Sequence, residues 1–138
     1  MNKKNRDYFD RQVEWVLNRL PQGILRILKE VPLHVEDQPS KRLMQELDID
    51  DPEELCGYYS GVPFTAVNVF GKHVYLASDA PLPNSVTIFR RGIIAESREE
   101  QGKVNRSTLR RQIRVTILHE LAHLHGMNEE EIAEVGYA

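Results

Sequence analysis

The stretch RVTILHELAHLHGMNEEE, residues 114–131, decides which fold and which chemistry to expect of this chain. It places His119 and His123 four positions apart in a run of leucine, isoleucine and alanine, with Glu120 directly after the first histidine. Residues four apart share one face of a helix, so the two imidazoles can aim at one point. The apolar side of this helix would be formed by Ile113, Ile117, Leu118 and Leu121. The sequence therefore predicts a helix that holds a polar cluster against an apolar wall.

The order H-E-x-x-H is typical of a zinc site. Zinc accepts imidazole nitrogens at ~2.0–2.1 Å in a tetrahedral arrangement, and a catalytic zinc keeps one position open for water. Glu120 lies roughly 100° round the helix from His119, so it would reach the bound water rather than the ion. The pattern thus predicts His119 and His123 as ligands of Zn²⁺ and Glu120 as the catalytic general base. The alternative is an amphipathic helix with partly exposed polar residues, although such residues seal a core poorly.

A third protein ligand must come from elsewhere in the chain. Gly126 can adopt a positive φ and reverse the chain, which would return an acidic residue to the metal. Asn128 and Glu131 form a capping-box-like pair that would begin another helix and give Glu131 a structural role. Glu129 is therefore the first candidate. The alternatives are Glu130, Glu131, Glu134 and a residue distant in sequence.

The composition indicates one folded domain over residues 1–138, with 41% hydrophobic and 28% charged residues. The net charge of −3 argues against nucleic acid or an anionic membrane as a partner. No apolar run approaches the ~20 residues of a membrane helix. The single cysteine, Cys56, cannot form an internal disulfide, and we expect it to be a small apolar packing residue. These features favour a cytoplasmic protein.

The first half of the chain is predicted to be mostly helical. Apolar residues at helical spacing predict a helix over residues 7–29, in which Pro21 either kinks the helix or opens a second one as its first residue. Residues 31–36 alternate between apolar and polar and predict a strand. Residues 41–47 predict a short helix.

Two further helix starts are predicted from capping signals. Asp51 precedes Pro52, the order of an N-cap and a first helical residue, so a short helix should begin there. Ser107 or Thr108 is expected to cap the helix that carries the motif.

The middle of the chain is predicted to be β structure. Residues 64–70 and 73–77 flank Gly71-Lys72, a pair favoured by a type II′ hairpin. The segment SVTIF (Ser85–Phe89) is a further strand, and the charged residues 96–106 predict an exposed connection. This order of elements indicates an α+β domain.

From the motif outward, the sequence resembles the zincin-fold metallopeptidases, and among them the small bacterial domains called minimal zincins. The resemblance is carried by a threonine three residues before the first histidine, by HELAH, and by the overlapping HxxGxxE. Less specific similarity lies upstream in VEDQP, GYYSGVPF and LPNSVTIFRRGI, so the resemblance covers about residues 30–136. It implies a single zincin-like domain with a small mixed β-sheet, an N-terminal helix, an active-site helix carrying HExxH and a short C-terminal helix.

The resemblance also implies a function. It suggests a zinc metallopeptidase that hydrolyses peptide or protein substrates, with His119, His123 and Glu129 as metal ligands and Glu120 as the catalytic residue. Many zincins of similar sequence have histidine or aspartate at the position of Glu129.

Two parts of such an active site stay open. A peptidase needs a donor for the developing oxyanion besides the metal. The candidates are Tyr58, Tyr59, Arg90, His125 and Tyr137. Zincin substrates commonly lie extended beside an edge strand, and SVTIFRR, residues 85–91, is our candidate for that strand. The alternative is an ordinary sheet strand whose arginines face solvent.

Two other functions compete with the peptidase interpretation. The chain could be a non-catalytic module in which the metal serves structure or partner binding. It could also be a metal-dependent endoribonuclease, since small bacterial enzymes of that class share the outline H-x3-H-x5-E. Glu120 and the net charge argue against the nuclease, unless the arginines just before the motif bind an anionic partner rather than simply facing solvent. These arginines are Arg106, Arg110, Arg111 and Arg114.

Overall fold

A computed structural model describes residues 1–61, 84–125 and 130 of the chain. In order, the elements are α1 (Lys3–Leu17), α2 (Gln22–Glu30), β1 (Leu33–Glu36), α3 (Lys41–Glu46), a 3-10 turn (Pro52–Glu54), β2 (Gly57–Ser60), β3 (Ser85–Phe89), α4 (Arg90–Glu96) and α5 (Arg106–Leu124). This arrangement confirms the predicted α+β class. The predicted hairpin over residues 64–70 and 73–77 lies outside the described residues, as does the predicted C-terminal helix apart from Glu130.

The three described strands form one mixed sheet in the order β1-β3-β2. β1 runs parallel to β3, and β2 runs antiparallel to it. The small mixed sheet implied by the resemblance is therefore confirmed. The proposal that Ser85–Phe89 is an edge strand for substrate is wrong, because β3 is central and hydrogen-bonds to a neighbour on each side.

The core lies between this sheet and the helices α1 and α5. Val86 and Ile88 of β3 are fully buried and point to the same face of the sheet, as alternate residues of a strand do. α5 packs on β2, β3, α1 and α4. The helical side of the core is formed by Phe9, Val13, Val16, Leu109, Ile113, Ile117, Leu121 and Leu124. The apolar wall predicted for the motif helix is thereby confirmed.

The predicted N-terminal helix is divided in two. α1 ends at Leu17, and α2 begins at Gln22. Pro21 is the N-cap of α2 rather than its first residue, because its backbone is extended while its carbonyl accepts from the backbone N–H groups of Ile24 and Leu25 at 3.0 and 3.1 Å.

The next predicted elements are present with small changes at their ends. β1 occupies only the last four residues of the predicted strand, and α3 agrees with the predicted short helix. Asp51 accepts from the backbone N–H of Glu53 at 2.9 Å, so its predicted capping role is confirmed, although the helix it opens is a single 3-10 turn.

α5 begins where Asn105, and neither Ser107 nor Thr108, provides the N-cap. The Asn105 side chain accepts from the backbone N–H of Thr108 at 2.8 Å, and its extended backbone places it just outside the helix. The predicted exposed connection lies between α4 and α5, and Gly102 turns there with a φ of +77°. None of the helices in residues 1–61 and 84–125 has the length and apolar character needed to cross a membrane.

Candidate metal centre

His119, Glu120 and His123 come together near the C-terminal end of α5. Their potential ligand atoms all lie within 4.8 Å of one another, and the two imidazole centroids are 5.0 Å apart with the rings at 70°. Two nitrogens bound tetrahedrally to one zinc would be about 3.4 Å apart, so small side-chain rotations would bring both onto one ion. Two imidazoles and a carboxylate suit a divalent cation such as zinc. In the part of the chain that the structure describes, no other His, Cys, Asp and Glu side chains form such a group.

The three side chains differ in exposure. Glu120 is only 7% exposed, whereas the two histidines are half-buried. The neighbouring Ile117, Leu118 and Leu121 are buried and shield this side of α5 from water. A carboxylate rarely occupies such a position unless it has partners, because the loss of hydration is costly. The alternative of incidental, partly exposed polar residues therefore does not describe Glu120.

The strand β2 closes over Glu120 at a glycine. A Cβ atom on Gly57 would lie 2.8 Å from Cγ2 of Thr116 and 3.1 Å from Cγ of Glu120. Real Cβ atoms essentially never approach another heavy atom below 3.0 Å. The absence of a side chain at residue 57 thus allows the β2 backbone to pack directly on the motif helix.

A second glycine allows the segment that leads into β2 to pack closely on α4. A Cβ atom on Gly92 of α4 would lie 2.0 Å from the carbonyl oxygen of Leu55, so only glycine permits this contact. The sequence interpretation missed Gly57, Gly92 and Thr116 as supports of the site. Thr116 was noted only for the resemblance to zincins. The signal for Gly57 was its place at the start of a short aromatic segment, CGYYS, which is typical of a close backbone approach.

Cys56 lies beside the cluster but behaves as a packing residue. Its side chain is half-buried and contacts the hydrophobic core. Burial, together with the carboxylates of Glu96 and Glu120, raises the pKa of the Cys56 thiol to about 11. Such a thiol stays protonated near neutral pH and is a poor nucleophile, in agreement with the predicted packing role.

A cavity of about 270 Å³ opens next to the cluster. Its walls include His119, Glu120, Cys56 and Gly57, together with the exposed carboxylates of Glu54 and Glu96. The face of Glu120 and His119 that adjoins this cavity is the side from which a small molecule can reach them.

The proposed third ligand, Glu129, lies outside the described residues, as do Gly126, Glu131 and Glu134. Its assignment stays a prediction. Glu130 is among the described residues; it is helical and its side chain is exposed.

The candidate oxyanion donors fall in different places. The hydroxyl of Tyr59 donates to Oδ1 of Asn84 at 2.6 Å, on the face of β2 that Gly57 turns toward α5. The guanidinium of Arg90 donates to both carboxylate oxygens of Asp10 and to Asp37, all at 3.0 Å, so its donors serve ion pairs. His125 is exposed at the C-terminal cap of α5, and Tyr137 is outside the described residues.

Comparison with known proteins agrees with this geometry. The family model described as zincin-like metallopeptidase matches residues 28–137 of the 138-residue chain. The chain therefore belongs to the zincin-like metallopeptidase family. No match was found among curated proteins.

Proposed function

We propose that this protein is a zinc-dependent peptidase in which His119 and His123 bind the metal, Glu129 completes the ligand set and Glu120 is the general base. The observation that carries the proposal is the convergence of three ligand-type side chains within 4.8 Å on α5 of a zincin-like domain. The substrates are peptides or proteins.

The donor set accounts for the chemistry. Zinc bound there would lower the pKa of a coordinated water towards ~7 and polarise a scissile carbonyl. A carboxylate next to that water has two tasks, to accept the water proton and to return it to the leaving amine. Glu120 is suited to both because it is 7% exposed and packed beneath β2, so its carboxylate is held where bulk water cannot easily compete.

The first experiment measures metal content. Protein prepared without a metal-binding tag should contain about one zinc per chain, as expected for one set of three protein ligands. His119→Ala and His123→Ala should each lose the metal. His125→Ala is the matched control, because His125 is exposed at the helix end, and it should keep the metal. A wild-type protein that stays empty after zinc supplementation at neutral pH contradicts the proposal.

The third ligand is assigned by a second pair of variants. Glu129→Gln should weaken zinc retention, whereas Glu130→Gln, at an exposed position, should not. Equal retention in the two variants would remove Glu129 from the ligand set.

Hydrolysis separates the enzyme from a non-catalytic metal module. A wild type that binds zinc but cleaves no peptide from a broad library would support the module.

The unpaired Cys56 favours a cytoplasmic location, which fractionation of the source cells tests directly.

A further inference from the structure

The N-terminal half of α5 and the end of α1 enclose a strongly basic cleft. The cleft has a volume of about 560 Å³. Its charged lining consists of Arg19, Arg106, Arg110, Arg111 and Arg114. Among the described residues that line it, none is acidic. Arg106, Arg110 and Arg114 recur every fourth residue, so their charges follow one side of α5.

These arginines differ from the paired arginines elsewhere on the surface. Arg6, Arg42, Arg90, Arg91 and Arg98 each form an ion pair with a carboxylate. In residues 1–61 and 84–125, none of the five cleft arginines does so. The positive charge of the cleft is therefore not neutralised by the part of the chain that the structure describes.

Two of the guanidinium groups are held in place. Those of Arg19 and Arg110 each lie 3.8 Å from the centroid of the Trp15 ring, and Arg110 also donates to the buried Gln12 at 2.9 Å. Loss of hydration, with repulsion from Arg106 and Arg19, lowers the pKa of Arg110. An anion in the cleft would relieve this repulsion, and its binding would immobilise fewer side chains than on an unordered surface.

The basic cleft is separate from the metal centre. His119 follows Arg110 by nine residues, about two and a half turns, which puts it on the opposite side of α5 and ~13 Å along the axis. Trp15 and Arg19 also precede the region matched by the family model, which begins at residue 28. The match to the family model therefore does not extend to the α1 side of the cleft.

We propose that this cleft is a docking site for an acidic peptide segment of a partner protein. The occupant is a short run of glutamate or aspartate side chains whose carboxylates pair with the cleft arginines, as planar guanidinium groups do well. This interaction does not depend on hydrolysis at the metal centre.

The size and surroundings of the cleft favour a peptide over nucleic acid. From Arg106 to Arg114 the axis of α5 rises only ~12 Å, which matches about four residues of extended peptide. Beyond the cleft, the net charge of −3 would repel a longer polyanion. The Trp15 ring is already stacked by guanidinium groups, which leaves it poorly placed to stack a base.

The test uses Trp15, the single tryptophan of the chain, as its own reporter. Wild-type protein is titrated with a synthetic peptide that carries about four consecutive glutamates in a neutral context. The fluorescence of Trp15 should change saturably, binding should weaken as salt is raised, and the same peptide with glutamine in place of glutamate should not bind. A chelator that strips the metal should leave this binding unchanged, so a failure of the peptidase proposal would not affect the result.

The variants locate the binding. Arg111→Gln with Arg114→Gln, two exposed positions that leave Trp15 and its stacked partners intact, should weaken the peptide about ten-fold. Arg26→Gln with Arg42→Gln removes the same charge from exposed positions on α2 and α3, and its effect should stay within about two-fold.

Three outcomes overturn the proposal. The first is no binding of the glutamate peptide at low salt. The second is equal weakening by both double variants, which would indicate unspecific charge attraction. The third is a single-stranded RNA oligonucleotide that binds more tightly than the peptide, displaces it and loses affinity in the cleft variant. That result would assign the cleft to nucleic acid and revive the endoribonuclease alternative.

Discussion

The two halves of α5 differ in how far their polar side chains are buried. Near its C-terminal end, His119, Glu120 and His123 are gathered within 4.8 Å, and Glu120 is buried under β2. Near its N-terminal end, Arg106, Arg111 and Arg114 are exposed to solvent at the rim of an open cleft. Both halves share one apolar stripe, which packs on α1 and the sheet.

The difference lies in what covers each half. Gly57 and Gly92 let backbone segments approach closely at the C-terminal half, so polar groups there are desolvated and must have partners. At the N-terminal half, Arg106, Arg111 and Arg114 are exposed and keep their hydration. One amphipathic helix can thus hold a partly buried polar cluster at one end and a solvent-exposed charged surface at the other, depending on the elements that pack on it.

The largest contrast between the halves should appear in catalysis. Glu120→Gln should lower peptide hydrolysis by ~10²–10⁴-fold, because the amide cannot accept the water proton, while zinc content is unchanged. Glu14→Gln makes the same chemical change at an exposed position of α1 and should keep wild-type activity. Steady-state kinetics with parallel metal analysis check both. Retained hydrolysis in the Glu120 variant would rule out Glu120 as the base.

Stability gives the next contrast. Ile117 is fully buried on the shared stripe, so Ile117→Ala should lower the free energy of unfolding by about 2–5 kcal/mol. Arg111→Ala, on the exposed side, should change it by less than about 0.5 kcal/mol. Urea denaturation measures both. Similar losses in the two variants would mean that the exposed face carries packing that the structure does not have.

The close contact at Gly57 sharpens the comparison further. Gly57→Ala should destabilise the protein by about 1–3 kcal/mol, because the added methyl group overlaps Thr116 and crowds Glu120. Gly23→Ala is the matched control on α2. Nothing lies within 4 Å of its added Cβ, and it should be neutral or stabilising by up to ~1 kcal/mol. Equal thermal stability of the Gly57 variant and wild type would contradict the packing of β2 on α5.

The start of α5 tests the exposed half by itself. Asn105→Ala should cost about 1 kcal/mol, because the side chain that accepts from the Thr108 N–H is lost. Ser107 lies within the first turn and does not cap the helix. Ser107→Ala should therefore change the free energy of unfolding by less than about 0.5 kcal/mol. The reverse order of the two effects would restore Ser107 as the cap.

The smallest expected effect is on the pH dependence of stability, which should distinguish the ion-paired arginines from those of the cleft. The side-chain hydrogen bond from Arg6, with a further one from Arg90, lowers the pKa of Asp37 below its ordinary value of 3.8. A lowered carboxyl pKa stabilises the fold at pH values above 3.8, and this stabilisation is lost as the pH falls through the folded-state value.

Asp37→Asn should therefore flatten the loss of stability below about pH 4, by less than ~1 kcal/mol because the pair is partly exposed. Acid-dependent chemical denaturation measures the slope. Arg6→Gln should reduce the same slope, whereas Arg111→Gln should not. An unchanged slope in both the Asp37 and Arg6 variants would exclude this ion pair as its source.

Local patterns in the sequence predicted the elements that depend on neighbouring residues. The motif helix, the strand at Ser85–Phe89, the short helix after Ser40 and the capping role of Asp51 are all present. Two elements escaped prediction. β2 is four residues long, and α4 has a glycine in its middle and arginines at its start, so neither carries a strong periodic signal.

The two errors have different causes. Ser85–Phe89 was correctly predicted as a strand but wrongly placed at an edge, because its neighbours β1 and β2 come from distant parts of the chain. Pairing of this kind depends on which segments meet in space, and no local pattern encodes it. The cap of α5 was misplaced by two or three residues because several polar residues in a row offered nearly equivalent local signals.

By itself, the amino-acid order determined that His119, Glu120 and His123 would share one end of a helix, because helical spacing depends only on residues a few positions apart. The tertiary structure alone decided that Glu120 is packed beneath Gly57, and that Trp15 and Arg19 meet the arginines of α5. These contacts join segments that are dozens of residues apart in the sequence. They form only when the apolar faces of α1, α5 and the sheet pack together and are removed from water.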